Sequence, residues 1–188
     1  MKKLKKIHFL FITLLFLVFA LVYYLSNQDE NIPQTFDKEN YVKTEQRIVN
    51  GNSLAPIITD GSTVDIILDY YEHNNIERED IVLYNFTGTE NPIIKIIKGI
   101  PGDKFELKES GSGWNILVNN QILKNSEGLP YTLYGNKYKM LSLYEKSYNN
   151  KIPEDAYLLL GNLVSGSTDS TRFGLVDKSD ILGKVIFK

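Results

Sequence analysis

From Ile7 to Leu25 the chain runs nineteen residues without a formal charge, apart from whatever His8 carries. A helix of that length covers the roughly 30 Å hydrocarbon core of a bilayer. No other feature restricts the chain so strongly, because such a span divides it into a membrane segment and the parts on either side. Lys2, Lys3, Lys5 and Lys6 precede the span and the polar run SNQDEN follows it. The positive-inside bias then leaves residues 1–6 as a basic cytoplasmic tail and everything after Ser26 outside. Tyr23 and Tyr24 fall at the outer headgroup level, where interfacial aromatics sit. Val18 and Ala20 offer a V-x-A site for a removed secretory signal, but the apolar run continues to Leu25, which favours a retained anchor over residues 7–25.

Residues 26–45 read as a polar linker with a single proline, Pro33, and residues 46–188 as one globular domain. The four N-terminal lysines leave 17 basic against 23 acidic residues in the remainder, a poor electrostatic footprint for nucleic acid. The chain has no cysteine, which excludes disulfides, thiolate catalysis, Cys-ligated zinc and a lipoprotein anchor. Its two histidines, His8 and His73, lie too far apart in sequence and setting to build a histidine-rich metal site. No EF-hand spacing is present either, and the chemistry considered below needs no cofactor.

Beyond the linker the chain reads as mainly β. STVDIILDY, DIVLYNF and NPIIKII are rich in β-branched and aromatic residues and are bounded by turn signals. WNILVNNQIL reads as a hairpin turning at Asn119 and Asn120, residue types that tolerate positive φ. AYLLLGN and ILGKVIF complete the strands, and no long apolar repeat of helical period follows the anchor. The tyrosine-rich stretch 129–150 reads as an insertion with its own loops.

The run IIKIIKGIPGD sets two lysines among isoleucines. Strand alternation puts Lys95 on the side of Ile93 and Ile97, and Lys98 on the side of Ile94 and Ile96, so one of the two is a candidate for burial. A desolvated ammonium with no carboxylate beside it loses its proton more readily. Lowering its pKa by 2 to 3 units takes roughly 3 to 4 kcal/mol of environment and yields a general base near neutral pH. Such a base needs a nucleophile. NGNSLAPII supplies Ser53 between Gly51, which permits unusual backbone angles, and Pro56, which fixes the chain beyond it. Taken singly, a serine in this setting is usually a turn residue and a strand lysine usually a solvated one.

The boxes taken in order resemble those of the bacterial type I signal peptidases, the membrane-anchored Ser-Lys endopeptidases of family S26. GNSLAP is similar to a GxSMxP box, GSTV to GDxV and EDIVLY to GDIVxF, while KIIKGIPGD fits KxxxGxPGD. IPEDAYLLLGN and SGSTDSTRFGLVDKSDILGKV resemble the strand before, and the body of, the SxDSRxFG region. The likeness takes in residues 7–25 and most of 47–188. It implies a single-pass transmembrane helix followed by a mainly β, antiparallel sheet or barrel catalytic domain outside the cell membrane, in the manner of the versions from Gram-positive-type bacteria.

The same resemblance assigns roles. Ser53 falls on the nucleophile and Lys95 on the general base, leaving Lys98 to the opposite face. Gly51 stands where some members place a hydroxyl facing the oxyanion, so backbone N–H groups, above all that of Ser53, take that part. Ser167 matches a serine that hydrogen-bonds the lysine amine, and Asp169 a structural carboxylate. Departures are Leu54 for methionine, Ser62 for aspartate, GNLVSGS for a GDNR-type run, and Thr171 for an arginine that is displaced to Arg172. Arg172 either still reaches Asp169 or the pair is lost. The implied substrates are preproteins whose signal segments share the bilayer, bound extended with small residues before the cut. Rival readings are a hydrolase based on His73, which sits in the polar run YYEHNNIERED; a cytosolic self-cleaving Ser-Lys repressor, disfavoured by the anchor; and an accessory protein that binds a pilin or other secreted partner without cleaving it.

Overall fold

The β-branched runs form strands whose two faces belong to different cores. The structure is a computed structural model and describes residues 43–87 and 91–187. The expected tail 1–6, the span 7–25 and the linker up to residue 42 lie outside the described residues. Among the described residues no helix is long and apolar enough to cross a membrane. The first strand, β1 (Thr44–Ile48), begins two residues before the boundary read at 46.

The larger sheet also contains β2 (Thr63–Leu68), β3 (Ile81–Tyr84), β4 (Ile93–Gly99), β9 (Ala156–Leu160), β10 (Val176–Asp177) and β11 (Ile181–Ile186). Their order is β1-β2-β11-β3-β4-β9-β10, antiparallel at every pairing. Period-two alternation sorts the side chains. Ile81, Leu83 and Ile96 join a core covered by Leu54 and Ile58 of the loop after β1, whereas Val82, Tyr84 and Ile97 join Tyr71, Tyr157 and Leu159 in another. Strand β9 serves two cores at once, because Leu158 and Leu160 face the second sheet while Tyr157 and Leu159 face away from it.

That second sheet comprises β5 (Phe105–Ser110), β6 (Gly113–Val118), β7 (Gln121–Ile122) and β8 (Thr132–Leu133). The β6–β7 turn is the expected one, with Asn119 and Asn120 at φ 50° and 65°. The sheets are joined at the PGD turn. Asp103 accepts from Ile100 N at 2.8 Å, from Asn119 Nδ2 at 2.8 Å and from the Arg78 guanidinium. Burial would raise its pKa, but the bonds from Arg78, Ile100 and Asn119 outweigh burial and hold the carboxyl below its ordinary value. The strand that carries Lys95 is thereby pinned at its far end.

The stretch read as loops contains a thirteen-residue helix, α1 (Gly135–Ser147). The helical period is not legible there because only Leu141 and Ser142 are buried, while Leu143 stays 62% exposed. Tertiary contacts hold the helix instead. Leu141 enters the core of the small sheet, Tyr138 stacks on Trp114 with ring centroids 4.2 Å apart, and Glu145 accepts from Leu107 N at 2.7 Å. A short helix, α2 (Ser170–Phe173), follows β9 and is capped by Asp169.

Candidate active site

Ser53 lies in the loop between β1 and β2, whose apolar residues Leu54 and Ile58 are buried against the large sheet. Val49, buried before the serine in the same core, holds the segment from the other side. Lys95 comes from the middle of β4, opposite Val82 in register. Its Nζ lies 3.0 Å from Ser53 Oγ and donates to the Ile94 carbonyl at 2.7 Å. Two residues separated by 42 positions are thus within hydrogen-bond reach.

Both lysines of the IIKIIK run are buried, 4% exposed at Lys95 and 5% at Lys98, so the expectation that only one would be is corrected. What separates them is the partner. Lys98 Nζ bonds both carboxylate oxygens of Glu79, at 2.9 and 2.7 Å, and the largely exposed glutamate brings solvent to the pair. No carboxylate bonds Lys95 among the described residues. Desolvation therefore pushes the Lys95 amine down to about 8 from an ordinary 10.5, against the opposing charge of Asp169.

The other expected residues surround this pair. Gly51 has φ +95° and its N–H is engaged, donating to Asp60 Oδ1 at 2.6 Å. The Ser53 N–H donates to no backbone carbonyl among the described residues. Ser167 is 2% exposed and its hydroxyl has no hydrogen-bond partner, so the bond to the lysine amine implied by resemblance is not made. The amine is directed instead at Ser53 and Ile94, and the Ser167 side chain packs against Gly161.

Asp169 is also 2% exposed and makes no ion pair with Arg172. Its carboxylate accepts from Gly161 N at 3.1 Å, Thr171 N at 3.1 Å and Thr171 Oγ1 at 2.6 Å. Thr171, the residue standing at the usual arginine, thus supplies a hydroxyl where a guanidinium was expected. Arg172 points to the exposed surface.

Two residues beside the pair were not singled out from the sequence. Gly161 directly follows β9, where Ser53 and Ser167 approach: a Cβ built on it would stand 2.8 Å from Ser53 O and 2.8 Å from Ser167 Cβ. Asn162, wholly buried, donates its N–H to Ser53 O at 2.7 Å. The sequence signal was the Gly-Asn pair ending an apolar strand, a place where a close backbone approach is common. A groove of about 920 Å³ opens beside Ser53 and Lys95, walled by Ile48, Val49, Leu54, Leu83, Ile93 and Ile94. His73 lies in the polar loop after a short 3-10 turn (Tyr70–Glu72), and no hydrogen bond joins it to Ser53.

Comparison with known proteins identifies the family. Residues 4–188 match the family described as "Signal peptidase, peptidase S26", and the chain belongs to that family. Signal peptidase IB of Staphylococcus aureus strain Mu50 is 30% identical over 151 residues, 74% of each chain. Signal peptidase I of Bacillus caldolyticus is 27% identical over 144 residues, 75% of this chain and 76% of the relative. A crystal structure of a signal peptidase I from Enterococcus faecalis V583 aligns with 59% of this chain and 97% of its own, at 21% identity and a TM-score of 0.43. The family assignment rests on the sequence match and not on that superposition.

Proposed function

We propose that this chain is a membrane-anchored serine endopeptidase that removes signal peptides from secreted preproteins with a Ser53–Lys95 dyad. The observation that carries the reading is the 3.0 Å approach of Ser53 Oγ to a buried amine whose pKa is lowered to about 8. Neutral Lys95 takes the proton of Ser53 as the oxygen attacks the scissile carbonyl. The Ser53 N–H stabilises the oxyanion. Lys95, now protonated, passes that proton to the leaving amine, and then activates the water that hydrolyses the acyl-enzyme. Ser167 packs against Gly161 beside the Ser53 segment. Asp169 fixes the segment from Gly161 to Thr171 around it, and Gly51 shapes the turn into Ser53.

The substrate segment lies extended in the groove beside β1, with small side chains next to the cut. Residues 7–25 hold the catalytic domain outside the cell and at the bilayer surface, close to signal segments in the same membrane, which raises their effective concentration. The relatives' names supply the substrate class.

Incubation of the detergent-solubilised chain with an alanine-x-alanine signal precursor tests this. The parent is expected to release mature protein and Ser53→Ala to be inert. Lys98→Ala is expected to keep most of the turnover, because the Glu79 it leaves behind is exposed enough to be hydrated. Equal activity in all three would overturn the dyad. Binding of the precursor without cleavage by the parent would favour the accessory-protein reading.

The pH dependence carries a sign. Only the neutral amine can act as base, so kcat/KM should rise about tenfold per pH unit below an apparent pKa near 8 and level off above it. Initial rates between pH 6 and 10 measure this, and a flat profile would contradict it.

A further inference from the structure

Asn162 is 0% exposed, yet it bonds in two directions. Toward the nucleophile, its N–H donates to Ser53 O at 2.7 Å and its side-chain Nδ2 to Ala55 O at 2.7 Å. Toward the second sheet, Nδ2 donates to Ser126 Oγ at 2.8 Å and Oδ1 accepts from Ser126 N at 2.9 Å. Its own carbonyl accepts from Asn125 Nδ2 at 3.2 Å. The amide orientation is fixed by these partners, since the reverse would set oxygen against the Ala55 carbonyl and NH2 against the Ser126 N–H. A fully buried amide is retained at low cost when its bonds are all made, and is costly otherwise.

We propose that Asn162 is a positioning residue for the reaction, its side-chain amide bridging the Ala55 carbonyl to Ser126 so that the loop of the small sheet braces the segment carrying Ser53. The inference rests on the peptidase reading above. The segment from Ser53 to Ala55 is then held at both ends, by Asn162 and Leu163 N–H groups on Ser53 O and by the amide on Ala55 O. Holding this backbone fixes the position of the Ser53 Cα and the direction of its Cα–Cβ bond, and with them the few staggered positions its Oγ can take relative to Lys95. The GDNR-type run that this part of the chain resembles has aspartate at this place, and a carboxylate cannot donate to Ala55 O. The strut therefore belongs to the amide found here, together with the serine it grips across 36 residues.

The test compares the full chain with Asn162→Ala, Asn162→Asp and Ser126→Ala on the same signal precursor, with Ser53→Ala as the inert control and rates expressed per folded molecule. Asn162→Ala leaves the backbone N–H on Ser53 O in place and removes only the strut. It is expected to lower kcat by about 10- to 100-fold with KM within about twofold, the effect of a small displacement of a reacting group. Asn162→Asp keeps the shape and should lose at least as much. Ser126 is exposed, so Ser126→Ala should fold even if the Asn162 variants do not, and it should lose about three- to tenfold in kcat. A residue that served stability alone would lower the melting temperature and leave kcat per folded molecule unchanged. Parent-like kcat in Ser126→Ala, or in a folded Asn162 variant, overturns the strut while leaving the dyad standing. A parent as inert as Ser53→Ala overturns both.

Discussion

Lys95→Met is expected to abolish turnover and to make the protein more stable at neutral pH. The loss follows from removing the proposed base: in a serine peptidase whose groups act as a unit, deleting one costs about four to six orders of magnitude in kcat. The gain follows from the same burial that lowers the amine to about 8 from 10.5. A shift of that size is worth roughly 3 kcal/mol between the two protonation states. Below pH 8 both folded and unfolded chains carry the ammonium, and the folded one bears the full cost of burying it. Between pH 8 and 10.5 the unfolded chain binds the proton and the folded chain does not, so the parent's stability rises with pH through that window. Methionine fills a similar volume without a charge. The advantage of Lys95→Met over the parent should therefore be largest below pH 8 and shrink by roughly 3 kcal/mol by pH 10.5. Urea unfolding of parent and variant at pH 7 and pH 10.5 checks both the sign and the window.

Gly161→Ala should damage activity nearly as severely without touching either member of the pair. The added Cβ would stand 2.8 Å from Ser53 O and from Ser167 Cβ, inside the distance that real contacts allow. The neighbours are a backbone carbonyl and a short buried side chain, neither able to swing away, so the nucleophile segment must shift. A displacement of about 1 Å at a reacting group costs on the order of a hundredfold in rate. Kinetics of cleavage by Gly161→Ala should show that loss in kcat. Activity equal to the parent's would mean that the packing of Ser53 against β9 is not what places its hydroxyl.

Much of this architecture can be read in the chain because burial on two faces leaves a mark on composition. Strands β2, β3, β4, β9 and β11 are each runs of Val, Ile, Leu or Tyr, and the β6–β7 hairpin announces itself through Asn119 and Asn120. Strand β5 escaped notice because its Phe-Glu-Leu-Lys alternation contains only two apolar residues before Ser110. Helix α1 escaped for a different reason. It is held by single contacts such as Trp114 on Tyr138, which impose no period on the sequence.

At the site, Ser53 and Lys95 are legible as residue types in fixed boxes, although their 3.0 Å approach depends on a sheet order no local pattern reveals. Whether Lys98 or Lys95 carries a carboxylate is equally hidden, since Glu79 lies 19 residues from its partner. Asn162 and Gly161 act on backbone carbonyls or by having no side chain, so a Gly-Asn pair after an apolar strand is the one sign of them in the sequence. The replacement of an expected arginine by Thr171 looked like a loss, yet its hydroxyl meets the same carboxylate.

The whole scheme depends on an amine that is neutral at the pH where the chain works. Selective isotope labelling of the lysine side chains, with Lys95 assigned by its absence in Lys95→Met, allows the titration of that one nitrogen to be followed by NMR from pH 6 to 11. A midpoint near 8 is the expected result. A Lys95 that remains charged up to pH 10 or beyond would contradict the proposed base.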